Sequence, residues 1–175
     1  MKQAITILTI LAIVSSCNNH NGYMEQNLAD FKIIGISIQS TNEGGQSIED
    51  MGKLWGQFYS DGISNKIPNK TSEEVYSLFT DYESDYTGKY TAIIGHKVES
   101  LEKIPDGLVG REFKGGKYTK LKAKGKMPDA IIDTWKKIWR EDKELNRRYT
   151  VDFEVYGPKS QNGAESEVDV FIATE

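Results

Sequence analysis

The sequence predicts a single α+β domain that is built from two copies of a strand–helix–strand–strand module. A length of 175 residues suits one domain with its own core. The same order of predicted elements occurs twice, and the copies are roughly 80 residues apart, too far for a solenoid and suited to two modules that share one continuous sheet. Such a duplication puts a pseudo-twofold seam near the middle of the chain, where we expect a ligand cleft.

The first module extends from a predicted strand at 31–40 to another at 90–98. The first of these strands is rich in Ile, and a loop with two glycines follows it. A helix comes next, because apolar residues recur at helical spacing at Ile48, Met51, Trp55, Phe58 and Tyr59. A strand at 75–82 and a polar loop at 83–89 then lead into the last strand.

The second module repeats this order after Pro105 and Gly107. Paired glycines open a predicted strand at 114–124. Pro128 suits the first turn of a helix that extends to about residue 141. Two further strands are predicted at 149–156 and 167–174.

The strand at 149–156 carries the most informative pattern. Its side chains alternate, with Val151, Phe153 and Val155 on one side and Asp152, Glu154 and Tyr156 on the other. Glu154 and Tyr156 combine a carboxylate with an aromatic ring, and this pair suits an organic cation because the acid supplies charge and the ring supplies cation–π attraction. The alternative is a half-buried strand whose polar side faces water.

Composition excludes some functions. The formal net charge is −4, and it becomes about −5 without a leader that contains Lys2, because 21 basic residues then face 26 acidic ones. This balance argues against nucleic-acid binding, which requires a basic surface. His and Cys residues do not cluster along the sequence, so we expect no metal site and no cofactor.

The first residues resemble a bacterial secretory signal. Lys2 supplies a positive start, residues 4–14 an apolar run, and Ser15-Ser16-Cys17 a small-residue processing site. Cys17 matches a lipobox, which predicts a lipidated N-terminus; ordinary secretion is the alternative. We therefore expect a signal peptide at 1–16, a lipidated Cys17 with a flexible tether at 17–29, and a folded domain at 30–175. The expected location is the bacterial cell envelope, on the outer membrane or facing the periplasm.

Four stretches, taken in order, resemble the GyrI-like effector-binding family. They are residues 67–95 (IPNKTSEEVYSLFTDYESDYTGKYTAIIG), 115–125 (GGKYTKLKAKG), 127–139 (MPDAIIDTWKKIW) and 149–157 (YTVDFEVYG). The resemblance covers nearly all of 30–175. It implies a duplicated module fold with an antiparallel sheet, helices on one face of the sheet and a small-molecule groove on the other. A lipoprotein leader stands in place of the DNA-binding domain of regulators in this family, so a regulator's output is not expected.

The resemblance also implies site residues. The acidic residue that meets cationic or aromatic ligands in the family maps onto Glu154, with Tyr156 in the same element, and Trp135 and Trp139 take the place of aromatic residues near the cleft. Pseudo-symmetry makes Trp55 their partner. The other aromatic candidates are Tyr82 and Tyr118. For these aromatic residues, ordinary core or surface packing is the alternative.

These observations predict an envelope lipoprotein that binds a small, largely apolar, cationic or aromatic molecule in a groove containing Glu154. It would contact the membrane through Cys17. Two other functions remain open. One, which the family resemblance implies, is a hydrolase of reactive, cyclopropane-type toxic compounds, in which Glu154 would act as a general base on water. The other is a protein-binding accessory module.

Overall fold

The structure of the protein is a computed structural model that describes residues 19–20 and 23–175. Within these residues, the strands are β1 (Asn19–His20), β2 (Tyr23–Leu28), β3 (Phe31–Thr41), β4 (Val75–Thr80), β5 (Lys89–Val98), β6 (Val109–Phe113), β7 (Gly116–Lys124), β8 (Val151–Tyr156) and β9 (Glu167–Ala173). The helices are α1 (Gln46–Ser60), α2 (Ile63–Lys66) and α3 (Asp129–Arg140). None of the helices in the described part of the chain is long and apolar enough to span a bilayer.

The strands form one antiparallel sheet in the order β1-β2-β7-β9-β8-β4-β5-β3-β6. The two modules are β3-α1-β4-β5 and β7-α3-β8-β9, and they meet where β4 pairs with β8. We call this β4–β8 pair the seam. On either side of it the strand order is mirrored, with β9 and β7 on one side and β5 and β3 on the other. The predicted α+β fold class and its duplicated modules are confirmed.

The sheet is strongly curled. Two residues connect β2 to β3, and two connect β6 to β7, although β2 and β7 lie towards one end of the strand order and β3 and β6 lie at the other. The rings of Phe31 on β3 and Phe153 on β8 have centroids 5.3 Å apart, whereas three strand spacings in a flat sheet would separate them by about 14 Å. The two ends of the sheet therefore approach each other, and the sheet wraps around its helix-free face.

This wrapping creates an aromatic core, which we call the inner core. Its buried residues are Phe31, Ile33, Leu78, Ile93, Phe113, Tyr118, Val151, Phe153, Phe171 and Ala173. Apolar residues beneath α1 and α3 form two further clusters on the opposite, helix-bearing face. The expected groove on the helix-free face is therefore a wrong prediction, because the curled sheet fills that face with its own side chains.

The structure also changes the predicted start of the domain. β2 pairs with β7, so that Met24 lies opposite Lys120 and Leu28 opposite Gly116. The tether predicted at 17–29 is thus wrong at Asn19–His20 and at Tyr23–Leu28, because the backbone of both segments is part of the sheet. The short strand β6 was also missed by the sequence analysis. The predicted signal peptide and Cys17 lie outside the described residues.

A close approach of two glycines accompanies the curl. Gly35 on β3 lies opposite Gly95 on β5, and a Cβ atom at Gly35 would lie 2.2 Å from the Ile94 carbonyl oxygen. A Cβ atom at Gly95 would lie 2.1 Å from the Ile34 carbonyl oxygen. Both obstacles are backbone atoms, which cannot rotate away as a side chain does. Only glycine fits at this close approach of the two strands.

We therefore expect Gly35→Ala to lower the free energy of unfolding by about 2–3 kcal/mol, because the added methyl group overpacks the two strands. Gly56→Ala is the matched control. Gly56 lies inside α1 with nothing within 4 Å of an added Cβ, so this change should raise stability by about 0.5–1 kcal/mol. Urea unfolding followed by circular dichroism measures the stability of both variants. A Gly35→Ala variant as stable as the native protein would contradict the close approach of β3 and β5 at this position.

Candidate functional site

A cavity of about 360 Å³ lies between α1 and α3, above the seam. Its walls come from both modules. α1 contributes Ser47, Ile48, Met51, Gly52 and Trp55, and α3 contributes Ile131, Ile132, Trp135, Lys136 and Trp139. The sheet and loops contribute Asn42, Gly45, Phe79, Tyr82, Tyr86, Tyr90, Pro128, Arg147, Glu154 and Tyr156. The cleft thus lies at the junction of the two modules, as the duplication predicts, but on the helix-bearing face.

Strand alternation explains why Glu154 lies at this cavity. Its neighbour Phe153 points into the inner core, so Glu154 points to the helix-bearing face. Ser77 on β4 lies directly opposite Glu154 in the register of the seam. The carboxylate is therefore placed on the middle pair of strands, directly below the gap between the helices.

The Glu154 side chain is buried and hydrogen-bonded. The residue is only 4% exposed. Trp135 Nε1–H donates to Glu154 Oε1 at 2.6 Å, and the Tyr156 hydroxyl donates to Oε2 at 2.8 Å. Burial raises the pKa of Glu154 above its ordinary value, and the two hydrogen bonds oppose part of that rise. Burial and the neighbouring Glu154 also raise the pKa of the Tyr156 hydroxyl well above its ordinary value.

No basic side chain of the described residues forms an ion pair with Glu154. Two basic residues, Lys136 and Arg147, line the cavity, and each pairs with an aspartate instead. Glu154 is the one acidic residue among those that line the cavity. The site therefore holds a buried carboxyl group that has no cationic partner in the described part of the chain.

Aromatic rings surround this carboxyl group. The ring of Trp55 meets Tyr156 edge-on at 4.9 Å, and Trp135 meets Phe79 edge-on at 5.2 Å. Trp139 stacks on Tyr86 at 5.6 Å with an interplanar angle of 10°. The cavity thus offers flat apolar surfaces next to a negative charge, an arrangement that favours a cation carried on an apolar body.

The structure brings together six of the seven predicted ligand-binding residues, namely Glu154, Tyr156, Trp55, Trp135, Trp139 and Tyr82. Tyr118 does not line the cavity. It lies on β7 in the inner core, with its ring 5.5 Å from that of Phe153. The reason is strand alternation, since Leu121 and Ala123 on the same strand face α3 and Tyr118 has the opposite parity.

Several cavity residues were not predicted. Phe79 lies on β4 with the same parity as Ser77, so its position follows from the register of the seam. Tyr90, Met51 and Ile48 also line the cavity. Helical spacing had placed Ile48 and Met51 on one helix with Trp55, and the signal at Tyr90 is only its aromatic character. Arg147 gave no signal as a cavity residue, because it follows α3 in an irregular segment.

A second buried charge cluster adjoins the cavity. Asp152 is fully buried and accepts three hydrogen bonds, from the Ala173 N–H at 2.8 Å, the Tyr82 hydroxyl at 2.9 Å and Arg147 Nη2 at 2.6 Å. Asp152 and Glu154 lie on the same side of β8, as predicted, but their environments differ. Asp152 has a cationic partner within the protein, and Glu154 has none among the described residues.

The sequence matches the family model of Cass2, integron-associated effector binding protein, over residues 26–174. The chain belongs to this effector-binding family. The match confirms the GyrI-like resemblance and extends over both modules and part of β2. It does not test the predicted signal peptide.

Relatives agree with this membership. An integron cassette protein of Vibrio cholerae is 30% identical, with a TM-score of 0.70 over 89% of this chain and 97% of that chain. SAV2435, whose structure was solved bound to tetraphenylphosphonium, is 18% identical, with a TM-score of 0.74 over 87% of this chain and 93% of that one. YobU of Bacillus subtilis, whose name proposes a role as a transcriptional regulator, is 25% identical over 122 residues, which cover 69% of this chain and 76% of YobU.

The raised pKa of Glu154 predicts how the stability of the folded protein changes with pH. The Glu154 carboxyl group binds its proton more tightly in the folded protein than in the unfolded chain. The free energy of unfolding therefore decreases as the pH rises from the ordinary pKa of Glu through the raised pKa of Glu154. We expect Glu154→Gln to be more stable than the native protein at neutral pH, and the two to converge in acid. Urea unfolding at neutral pH and at acid pH measures the free energy of unfolding of both proteins.

The control for this prediction is Glu144→Gln, because Glu144 is an exposed glutamate and its replacement should not reproduce the difference. A Glu154→Gln variant that is less stable than the native protein at neutral pH would show that the charged carboxylate stabilises the fold.

Proposed function

We propose that the protein binds lipophilic organic cations in the cavity between α1 and α3. One observation carries the proposal. Glu154 is 4% exposed, lines the cavity, and forms no ion pair with any described residue. A buried carboxylate without a cation is unfavourable. A cationic ligand removes this cost when it binds, so the missing charge selects the ligand.

The aromatic walls support the same ligand class. Trp55, Trp135 and Tyr156 lie around Glu154, and a cation over an aromatic face gains about 0.5–2 kcal/mol. The apolar part of the ligand gains by leaving water for this surface. A small inorganic cation would lose its hydration shell here without enough oxygen ligands to replace it. The cavity therefore favours a charge that is spread over, or shielded by, carbon.

The cavity volume also suits a small organic molecule. About 360 Å³ lies within the usual range of roughly 300–1,000 Å³ for ligand pockets. The structure of SAV2435, which shares this fold, holds tetraphenylphosphonium. That relative supports the proposal through its fold and ligand class, and the residues of the present cavity supply the chemical reason.

The test compares a cation with an uncharged molecule of similar shape. Isothermal titration calorimetry should show tetraphenylphosphonium binding to the native protein, with a dissociation constant at least about tenfold higher for Glu154→Gln. Triphenylphosphine oxide, which has similar rings and no net charge, should be affected far less. Equal losses for the two compounds would mean that Glu154 shapes the cavity and does not recognise charge.

Mass spectrometry of any compound that copurifies with the protein would identify the natural ligand. Its recovery unchanged after long incubation would support binding. Product formation that Glu154→Gln abolishes would support the hydrolase, and a copurifying protein that covers the cavity would support the accessory-module function.

We also propose that the protein is anchored to a membrane of the bacterial cell envelope. The apolar run at 4–14, followed by Ser15-Ser16-Cys17, is the pattern of a lipoprotein signal. Processing at Cys17 would leave a lipidated residue six positions before the start of β2 and hold the binding domain at the membrane surface.

Expression of the full chain in bacteria should therefore place the protein in the membrane fraction, labelled by a fatty-acid analogue. Cys17→Ser should abolish the label, because the serine hydroxyl does not replace the thiol that is acylated. Ser16→Ala is the neighbouring control and should keep the label. An unlabelled native protein would exclude lipidation.

A further inference from the structure

Gly52 lies inside α1 and lines the cavity without a side chain. Glycine is unfavourable in the interior of a helix compared with Ala or Leu. The backbone at Gly52 does not have a positive φ, so it could carry any side chain. An added Cβ atom would have no described atom within 4 Å, apart from its chain neighbours and the backbone of the helix itself. Neither backbone conformation nor close packing of the described residues therefore requires glycine at this position.

Gly52 lies at the opening of the cavity. Met51 and Trp55, which also line the cavity from α1, are half-buried. Ile48 is 67% exposed, and Gly52, one helical turn further along, is exposed as well. On α3, the cavity residue Lys136 is exposed. The missing side chain at Gly52 therefore leaves the gap between the two helices open to solvent.

The cavity volume limits what fits behind this opening. A protein cavity of about 150 Å³ holds one benzene molecule, so a volume of about 360 Å³ holds roughly two rings of that size. A cation with one ring therefore fits inside the cavity beside Glu154. A cation with four rings must extend some of them into the opening, where a side chain at position 52 would lie.

We propose that Gly52 determines the size of the cations that the site accepts, and that it allows bulky cations with several rings to bind as well as slim ones. Two features then define the ligand class, because Glu154 selects the charge and the space beside Gly52 sets the width. This inference rests on the proposed binding of cations and specifies the size of those that bind.

Two cations of different width test the inference by titration calorimetry. Tetraphenylphosphonium has four rings, and benzyltrimethylammonium has one. In Gly52→Leu, the dissociation constant for tetraphenylphosphonium should be at least about tenfold higher than in the native protein, because the leucine side chain fills the opening and overpacks it against the rings. The dissociation constant for benzyltrimethylammonium should change by less than about threefold.

Gly56→Leu is the matched control. Gly56 lies one turn further along α1, is exposed, has nothing within 4 Å of an added Cβ atom and is not among the residues that line the cavity. This variant should bind both cations as the native protein does. Both leucine variants should be at least as stable as the native protein when unfolding is followed by circular dichroism, because leucine favours the helix more than glycine does.

The outcomes are distinguishable. Native affinity of Gly52→Leu for tetraphenylphosphonium overturns the inference and leaves cation binding intact, and so does an equal loss for both cations or a loss that Gly56→Leu reproduces. Binding of only one of the two cations to the native protein also overturns it, because the native site should accept both. A Gly52→Leu variant that does not fold overturns it as well, since the space at this position would then not be open. Failure of both cations to bind the native protein overturns the inference together with the proposed function.

Discussion

The pairing of β4 with β8 is the constraint on which the rest of the structure depends. It joins the two modules, and it brings Ser77 opposite Glu154 in the middle of the sheet. Because each module carries one helix on the same face, the joint leaves a gap between α1 and α3 directly above that pair. The cavity is thus a product of the duplication, and neither module contains it alone.

The two acidic residues of β8 show how environment separates structural from functional charge. Asp152 and Glu154 share a strand and a side, and both are buried. Asp152 accepts hydrogen bonds from Arg147, from the Tyr82 hydroxyl and from the Ala173 backbone N–H. Glu154 accepts hydrogen bonds from Trp135 and Tyr156, which are both uncharged. The fold therefore compensates the charge of Asp152, whereas no described residue supplies a cation for Glu154.

Local sequence patterns predicted the two modules, and together with the family resemblance they predicted six of the residues that line the cavity. Alternation in 149–156 placed Glu154 and Tyr156 on one side of the strand, and the family resemblance implied that Trp135 and Trp139 lie near the cleft. The curl of the sheet could not be predicted in this way, because it depends on contacts such as Phe31 with Phe153 that join distant strands. The face that carries the cavity follows from that curl, because the curled sheet fills its helix-free face with side chains such as Tyr118.

Strand β2 shows a different limit of sequence analysis. Residues 25–27 of this strand are polar, and no apolar alternation extends through 23–28, so the sequence resembles a linker. Their place in the sheet comes from the unpaired edge that β7 offers, and not from any apolar pattern of their own. The neighbouring strand determines whether such a segment joins the sheet, and the sequence of the segment itself does not identify that neighbour.

All three tryptophans of the chain lie in the walls of one cavity. Their indole emission therefore originates at the binding site, with no contribution from tryptophans elsewhere. A bound molecule that changes the polarity around these rings, or that quenches them, would alter the ultraviolet fluorescence of the whole protein. The chain consequently carries its own optical reporter of occupancy, and candidate compounds can be screened without attaching a dye.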